Sequence, residues 1–349
     1  MPDILFQFHA LRKINPGFMH CLKHAGFQWS LPLLVLSVLT GCAAPQTRLV
    51  LEQPSTLPER ASVAGVPFYP QEKYYCGPAS LAMMLNWAGI PAEQHDIASQ
   101  IYTPGREGTL TPDVLAGARR NGALSVEVSS LHNLLAEIAA GNPVMVFQNL
   151  GVRIYPQWHF AVATGYDLDA ENLFLHSGLD PQRVLNINSF ERTWQRADYW
   201  AITVTPPDQL PSQASEMAVL KGAAGLERAG QYPAAITAYQ TVLQRWPVST
   251  IARMGLGNTY YKLGKYSKAA AAFREVIVTD NSHAAAWNNL ANALAEQTLY
   301  DEAINAARKA VTLNKDNEIY RTTLAETKAK QSSFRLLQPD EYHEAGHNN

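Results

Sequence analysis

A 34-residue period in the C-terminal part of the chain restricts the possible folds more than any other feature of the sequence. Three series of residues keep this step: Tyr232, Tyr266 and Tyr300; Ala235, Ala269 and Ala303; Tyr239, Phe273 and Ala307. Small and large apolar residues that recur in phase are typical of helix pairs stacked on their neighbours. An arbitrary Ala-rich bundle would not keep several positions in phase. The sequence therefore predicts three helical repeats, over 216–249, 250–283 and 284–317, and a capping helix near 317–330.

The repeats also carry residues of a known motif. The matching first-helix residues are Leu256, Gly257 and Tyr260 in the second repeat and Trp287, Leu290 and Ala291 in the third. This pattern and its period resemble the tetratricopeptide repeat. The resemblance implies an all-α solenoid over 216–332, with a concave helical face that binds a protein partner. Residues 333–349 are expected to form a disordered tail.

A second informative stretch, residues 71–89, combines a cysteine with the start of a helix. Pro78 suits the first helical turn, because its missing N–H would find no helical partner there. Cys76 would then lie at a helix N-terminus, where the helix dipole favours the reactive thiolate. Gln71 is five residues upstream, where its side-chain amide can donate to an oxyanion. A buried, inert thiol is the alternative that the residue type alone favours.

Residues 1–42 are expected to be a lipoprotein signal peptide and are excluded from the fold. Their apolar run, 31–39, is too short to span a bilayer. The LTGC sequence that ends at Cys42 resembles the bacterial lipobox, in which the chain is cut before the cysteine and the cysteine is acylated. The resemblance implies a lipid on Cys42. Ala43, where an aspartate would mark inner-membrane retention, implies outer-membrane attachment facing the periplasm.

Two alternatives remain at the N-terminus: a plain signal peptide, or an anchor that is not cleaved. Translation can start at Met1 or at Met19. In either case Cys76 is the cysteine left to the folded protein, because Cys21 lies in the signal segment and Cys42 would carry lipid. An unpaired thiol in an oxidising compartment is open to oxidation, which favours a functional reason for keeping it.

Composition and periodicity divide the remaining chain. Residues 43–62 are expected to be a flexible tether, and 207–215 a proline-containing linker that couples two domains loosely. Between them, 63–206 predicts an α+β domain, with helices first and an antiparallel sheet after them. Residues 66–68 are expected to be a short edge strand or an extended lead-in to the domain. The predicted helices after the Cys76 helix are 91–102, 111–121 and 131–140, with Thr111 as an N-cap, and the predicted strands are 144–147, 160–166, 173–175 and 199–205.

A nucleophilic thiol needs a base, and histidine is the usual one. The α+β domain offers His95, His132, His159 and His176. His95 and His132 are predicted to lie on helix surfaces. His159 begins the predicted strand FAVATGY, so the sheet would fix its position. A strand-edge histidine without a catalytic role is the alternative.

Together these residues resemble the bacteriocin-processing (double-glycine leader) cysteine peptidases and their papain-like relatives. The resemblance rests on Gln71, on the CGPA sequence at 76–79 and on the HFAV sequence at 159–162, and it covers about residues 63–206. It implies a papain-like α+β fold in which Cys76 is the nucleophile, His159 the base and acid, and Gln71 an oxyanion donor. The leader-peptide substrate is not carried over on likeness of fold.

The chain departs from this family at the third catalytic position. The family places an aspartate after the next strand, and here that place falls at 176–177. Asp180 supplies the aspartate three residues late, Ser177 supplies a hydroxyl in register, and Asn172 is a weaker substitute. Loss of the orienting carboxylate can lower the rate by orders of magnitude. Trp158 and Tyr155 are expected to flank the cleft, as substrate contacts or as rim packing.

Composition excludes several classes of function. The net charge is −2 and the sequence has no basic run, so nucleic acid is not an expected partner. Scattered histidines without ligand spacing predict no metal site, and no cofactor is expected. The leading interpretation is an envelope-anchored cysteine peptidase that cleaves peptide bonds, with acyl transfer to an amine as a variant of the same chemistry. The alternative is a non-catalytic peptide-binding or assembly lipoprotein with a decayed peptidase fold.

Overall fold

The computed structural model describes residues 44–52, 56–71 and 74–337. The predicted signal peptide, the lipidation residue Cys42 and the last twelve residues of the predicted tail lie outside the described residues. The elements of the first domain, in chain order, are α1 (Pro45–Glu52), β1 (Arg60–Ser62), α2 (Cys76–Trp87), α3 (Gln94–Ile101), β2 (Tyr102–Thr103), a 3₁₀ turn (Pro104–Arg106), β3 (Gly108–Thr109), α4 (Thr111–Arg120), β4 (Leu124–Glu127), α5 (Leu131–Ala139), β5 (Val144–Asn149), β6 (Trp158–Asp167), β7 (Asn172–Ser177), β8 (Asp180–Asn186), α6 (Ile187–Gln195) and β9 (Ala201–Thr205).

A seven-stranded antiparallel sheet forms the middle layer of this domain. Its strands run in the order β4-β9-β5-β6-β7-β8, and β1 pairs with the far end of β6. Helices α2, α3 and α4 cover one face of the sheet, and α5 and α6 cover the other. Both faces of the central strands are therefore buried, which explains their nearly continuous apolar sequences. The α+β architecture predicted from the sequence is confirmed.

Three strand assignments differ from the prediction. Residues 66–68 form no strand, which leaves the alternative of an extended lead-in, and the short edge strand is β1 instead. Strand β4 was not predicted, because the apolar–polar alternation of its four residues is too short to be distinguished from the helix pattern before it. Strand β8 was not predicted because Asp180 and Pro181 read as a turn, whereas the turn consists of residues 178–179 and Pro181 lies near the start of an edge strand. Thr111 is the first residue of α4 and not its N-cap, which is Leu110.

The prediction of a flexible tether over 43–62 is wrong for its described part. Helix α1 is docked on the domain, with Thr47 and Val50 buried. Strand β1 extends the sheet. The composition of this segment is polar, but its few apolar residues pack into the core beneath α5 and α6.

The linker at 207–215 is also fixed rather than loose. The buried carboxylate of Glu137 accepts hydrogen bonds from Ser212 N (3.0 Å) and Gln213 N (2.7 Å). Gln209 Nε2 donates to Asn142 Oδ1 at 2.8 Å. A proline-containing sequence predicts a lack of regular structure, but such a segment is still ordered when its backbone donors find buried acceptors.

The second domain consists of antiparallel helix pairs with a final long helix. Its elements are α7 (Glu216–Arg228), α8 (Tyr232–Arg245), α9 (Thr250–Lys262), α10 (Tyr266–Thr279), α11 (Ala284–Ala295), α12 (Tyr300–Leu313) and α13 (Glu318–Leu337). The tyrosines of the 34-residue series begin the second helix of each pair, and the alanines three residues later are fully buried. A Cβ at Gly257 would lie 2.5 Å from the Phe273 ring, so a small residue is needed where α9 crosses α10. The predicted solenoid is confirmed; its last helix extends to Leu337, past the predicted start of the disordered tail.

The first repeat helix, α7, packs directly on the edge strand β4. Leu124 and Val126 share one core with α7 and α8. A Cβ at Gly222 would lie 2.7 Å from the Leu124 side chain, so the glycine permits this close approach. Covering β4 also removes an exposed sheet edge. The two domains thus form a continuous apolar interface. Within the residues that the structure describes, no helix has the length and apolar character needed to cross a bilayer.

Candidate active site

Cys76 is the first residue of α2, a helix buried along most of its length. Residues 77–85 of α2 are buried, and Gly89, with φ of +75°, lies just beyond its end. Pro78 occupies the first turn, as the sequence predicted. The rigid helix therefore fixes the thiol where the free N–H groups of a helix N-terminus meet the sheet.

His159 is the second residue of β6, opposite Gln148 on β5. Strand β6 is paired on both sides, with β5 and with β7. The histidine is partly buried and lines the same cleft as Cys76. The structure thus brings together the two residues that the sequence proposed as nucleophile and base.

Ser177 is the residue that contacts the histidine ring. Its Oγ lies 2.8 Å from His159 Nε2, and its side chain is 3% exposed. Asp180 is exposed at the start of β8, where its carboxylate accepts a hydrogen bond from Gln182 N at 2.9 Å. Asn172 begins β7, at the opposite end of the strand from Ser177. Of the three alternatives, only the serine is hydrogen-bonded to His159.

Gln71 is buried beside the cleft, but its amide already has partners in the protein. Its Nε2 donates to Ser80 Oγ at 3.3 Å and to Phe160 O at 3.4 Å, and its Oε1 accepts from Gly178 N at 2.9 Å. The donor distances are at the long end of the hydrogen-bond range. The amide is therefore ordered at the site and held only weakly by its donor side.

The cleft has a volume of about 1040 Å³, with Gln71, Cys76 and His159 among its lining residues. One wall is the short hairpin β2–β3 and the segment that leads into α4. The hairpin lies very close to α2, since a Cβ at Gly77 would be 2.7 Å from Thr109 Oγ1. A glycine directly after Cys76 is therefore required by this wall. No motif in the sequence indicated that residues 106–108 would line the site.

Trp158 and Tyr155, the two predicted cleft residues, have different positions. Trp158 lines the cleft and stacks on Phe147 at 5.2 Å between ring centroids. Tyr155 is 78% exposed in the turn before β6, where it pairs with Val152, and it is not among the lining residues. Phe147 was not singled out from the sequence because it lies in an ordinary buried strand pattern.

Burial controls the charge state of the two central residues. It raises the pKa of the Cys76 thiol, while hydrogen bonds with the backbone of Phe160, Gly77 and Cys76 act in the opposite direction. Burial, with a smaller contribution from the Arg183 charge, lowers the pKa of His159 to about 4. Both effects favour neutral groups near pH 7. The helix N-terminus therefore does not outweigh desolvation, contrary to the expectation of a resting thiolate.

A metal centre has no donor set within the described part of the chain, where no group of three His, Cys, Asp or Glu side chains is suitably placed. The chemistry available at the cleft is that of a thiol, an imidazole, a hydroxyl and amide donors. Such a set can carry out acyl transfer through a covalent intermediate.

Comparison with protein families gives two matches. Residues 63–202 match the model described as Peptidase_C39 like family. Residues 221–282 and 256–318 match the tetratricopeptide repeat. Both agree with the resemblances predicted from the sequence motifs. No curated protein matches the chain significantly.

Each of three similar solved structures covers less than half of this chain. A C39-like peptidase from Bacillus anthracis is 19% identical, covering 42% of this chain and 98% of its own, with a TM-score of 0.36. The second TPR domain of human RPAP3, in complex with an HSP70 peptide, is 20% identical over 32% of this chain and 94% of its own, with a TM-score of 0.31. MamA from Desulfovibrio magneticus RS-1 is 20% identical, covering 40% of this chain and 81% of its own, with a TM-score of 0.32.

Proposed function

We propose that this protein, in which a C39-peptidase-like domain is joined to tetratricopeptide repeats, is a cysteine peptidase anchored by lipid in the bacterial cell envelope. The observation that carries the proposal is the convergence of Cys76 and His159 on one cleft, with Ser177 hydrogen-bonded to the histidine. The fold does not require a thiol at this helix start or an imidazole on this strand, and it does not require that the two meet in an open cleft.

In the proposed reaction, His159 holds its proton on Nε2 toward Ser177 and uses Nδ1 as the base. A bound peptide displaces water, and Nδ1 accepts the Cys76 proton as sulfur attacks the peptide carbonyl carbon. The C–N bond then breaks as the imidazolium protonates the leaving amine. Water attacks the thioester with His159 again as base, and a carboxylate and the free thiol are released. A neutral resting pair therefore becomes ionic only during the reaction.

The oxyanion would be held by Cys76 N–H and by the Gln71 amide. In the resting site the Gln71 donors reach Ser80 and Phe160 at long distances. A negatively charged oxygen is a much stronger acceptor than either of them, since charge-assisted hydrogen bonds are about twice as strong. The developing charge would therefore draw the amide toward the cleft.

The repeats and the N-terminus supply the remaining parts of the proposal. Tetratricopeptide repeats bind polypeptides, so we assign a protein partner to the helical domain. The LTGC sequence at 39–42 supports acylation of Cys42, with attachment to the outer membrane facing the periplasm.

Peptide-library cleavage with mass-spectrometric mapping tests the activity, using protein that lacks residues 1–42. We expect cleavage that falls by at least about 10³-fold in Cys76→Ala and in His159→Ala, because the nucleophile and its base act as one unit. Gln71→Ala should retain substrate binding and lose about 10²-fold in turnover. Cleavage that persists in Cys76→Ala would refute the proposal.

A non-catalytic peptide-binding protein is the second candidate. It is favoured by the serine in place of the family's aspartate and by the internally bonded Gln71 amide. In that case Cys76→Ala would bind library peptides as tightly as the natural protein, and neither would cleave them.

A further inference from the structure

The short helix α1 is fastened to the peptidase domain more firmly than its length would suggest. Eight residues are too few for a stable isolated helix in water. Its stability must therefore come from its contacts with the rest of the domain. Val50 contributes an apolar contact, and Glu191 of α6 supplies the polar ones.

Glu191 acts as an external cap for the first turn of α1. Its carboxylate is fully buried and accepts hydrogen bonds from Gln46 N (2.9 Å), Thr47 N (2.6 Å) and Thr47 Oγ1 (2.6 Å). Two free N–H groups of the helix start are thereby satisfied, and the negative charge lies at the positive end of the helix dipole. Charge-assisted bonds of this kind are the strong ones.

A second bond fixes the same turn from the other side. Gln46 Oε1 accepts a hydrogen bond from Leu131 N, at the start of α5, at 2.6 Å. Residues 46 and 47 are therefore held by two different helices of the domain. The chain is fixed from its first described helix onward.

We propose that, because α1 is fixed to the peptidase domain and begins three residues after Cys42, a lipid on Cys42 keeps the domain at the surface of the lipid bilayer. This inference depends on the proposed lipid at Cys42. Only Ala43 and Ala44 separate Cys42 from Pro45, and three Cα–Cα steps span at most about 11 Å. A free 20-residue tether would have a root-mean-square length of about 25 Å and a much longer reach.

The bilayer is thus the partner of the surface around the start of α1, which includes Pro45, Arg48 and Leu49. A domain of this size has a radius of gyration of about 15 Å. A sphere with this radius of gyration is about 39 Å across, so the cleft would remain within about 40 Å of the membrane surface. Its substrates would be polypeptides exposed at the membrane surface, such as other anchored proteins or segments that emerge from the bilayer.

Quenching by spin-labelled lipid headgroups tests this arrangement in the full chain. Cys76→Ser is combined with Leu49→Cys or with Val278→Cys, and the new cysteine carries a fluorophore. Leu49 is 51% exposed on α1, and Val278 is 87% exposed in the repeats, so both can be labelled. In phosphatidylethanolamine–phosphatidylglycerol vesicles, we expect quenching at position 49 to exceed that at 278 by several-fold.

Two further changes distinguish the effect of the fixed helix α1 from the effect of lipid anchoring alone. A 15-residue Gly-Ser insertion between Ala43 and Ala44, with a root-mean-square length of about 21 Å, should lower quenching at 49 to the level at 278. Thr47→Val with Glu191→Gln should lower it partly, and Asp208→Asn, which changes an exposed carboxylate outside α1, should leave it unchanged. The insertion does not disturb the folded domain, so it remains informative where the Glu191 variant fails to fold.

Mass spectrometry of the N-terminal peptide distinguishes the two possible failures. A chain without acyl groups on Cys42 would overturn both the proposed anchor and this inference. An acylated chain whose Leu49 probe is quenched equally with and without the insertion would overturn the inference alone and leave the proposed anchor standing.

Discussion

Replacing Ser177 with aspartate would introduce the carboxylate that the resemblance to C39-like peptidases implies near this position, and it tests whether the serine is the orienting residue. The serine Oγ lies 2.8 Å from His159 Nε2, so a carboxylate in its place would bring the two charges to about 4 Å. At an effective dielectric constant of about 20, the attraction is about 4 kcal/mol, or about 3 pKa units. Measured shifts for such pairs are usually about 1–3 units.

The expected direction follows from the sign of the charges. A nearby carboxylate stabilises the imidazolium, so it raises the pKa of His159 from about 4 toward a value near 6. The change in protonation should be visible in an NMR titration of the His159 ring. The charged pair should also raise kcat/KM at neutral pH by roughly 10²-fold, since loss of the aspartate from a comparable triad costs about 10⁴-fold.

Two variants isolate the effect of the charge. Ser177→Asn has the size of aspartate without its charge, so the pKa of His159 should remain near its natural value. Asp180→Asn changes an exposed carboxylate that only caps its own strand, so it should alter neither the titration nor the rate. Titration of His159 at the same pH in the Asp and Asn variants would refute the assigned contact.

Three other predictions concern stability and the cleft wall. The pKa of His159 is about 4 in the folded protein and about 6.5 in the unfolded chain, so the unfolded chain binds a proton first as the pH falls. The free energy of unfolding is therefore unaffected by this histidine above pH 6.5 and decreases as the pH falls toward 4. Urea unfolding of His159→Gln should show about 3 kcal/mol less loss of stability over that interval. Gly77→Ala should destabilise the protein by about 1–3 kcal/mol through its clash with Thr109, whereas Gly105→Ala, with open space around its Cα, should have the natural melting temperature. Glu137→Gln should accelerate hydrogen exchange at residues 212–213, because a neutral amide accepts their N–H groups more weakly; unchanged exchange there would contradict the proposed role of Glu137 in fixing the linker.

The parts of the fold that the sequence predicted are those set by local periodicity. The 34-residue step predicted the three repeats, and the structure shows that its tyrosines, Tyr232, Tyr266 and Tyr300, begin the second helix of each pair. The helix after Cys76 followed from Pro78 and an apolar run ended by Gly89. In these segments the same environment recurs in each repeat or extends along an apolar run, so several positions independently indicate the same helix.

The parts that were missed depend on partners distant in the chain. Helix α1 is polar in sequence, and its main hydrogen-bond partner, Glu191, is 144 residues away from Thr47. The fixed linker likewise depends on Glu137, some 75 residues before it. No local sequence pattern predicts that a buried carboxylate elsewhere in the chain will accept hydrogen bonds from the backbone N–H groups of a segment.

The orienting residue shows a subtler limit of sequence reasoning. Asp180 had the expected chemistry and Ser177 the expected position, and sequence alone gave no reason to prefer position. The turn at 178–179 ends β7 at Ser177 and places Asp180 on the next strand, so the serine is the one of the two that contacts His159. Strand register, rather than residue type, decides which side chain reaches the histidine.

The burial that raises the pKa of Cys76 has opposite effects on reactivity in the resting protein and in the complex. Thiolate is the form that oxidants and disulfides attack, so a neutral thiol is protected while the cleft is empty. In the proposed reaction, a bound peptide would supply a carbonyl to the sulfur and exclude water from His159, which would strengthen the attraction between the thiolate and the imidazolium formed in that reaction. An unpaired cysteine in an oxidising compartment needs such protection more than one in the cytoplasm does. A site without a resting ion pair is therefore consistent with a peptidase that becomes reactive only with its substrate bound.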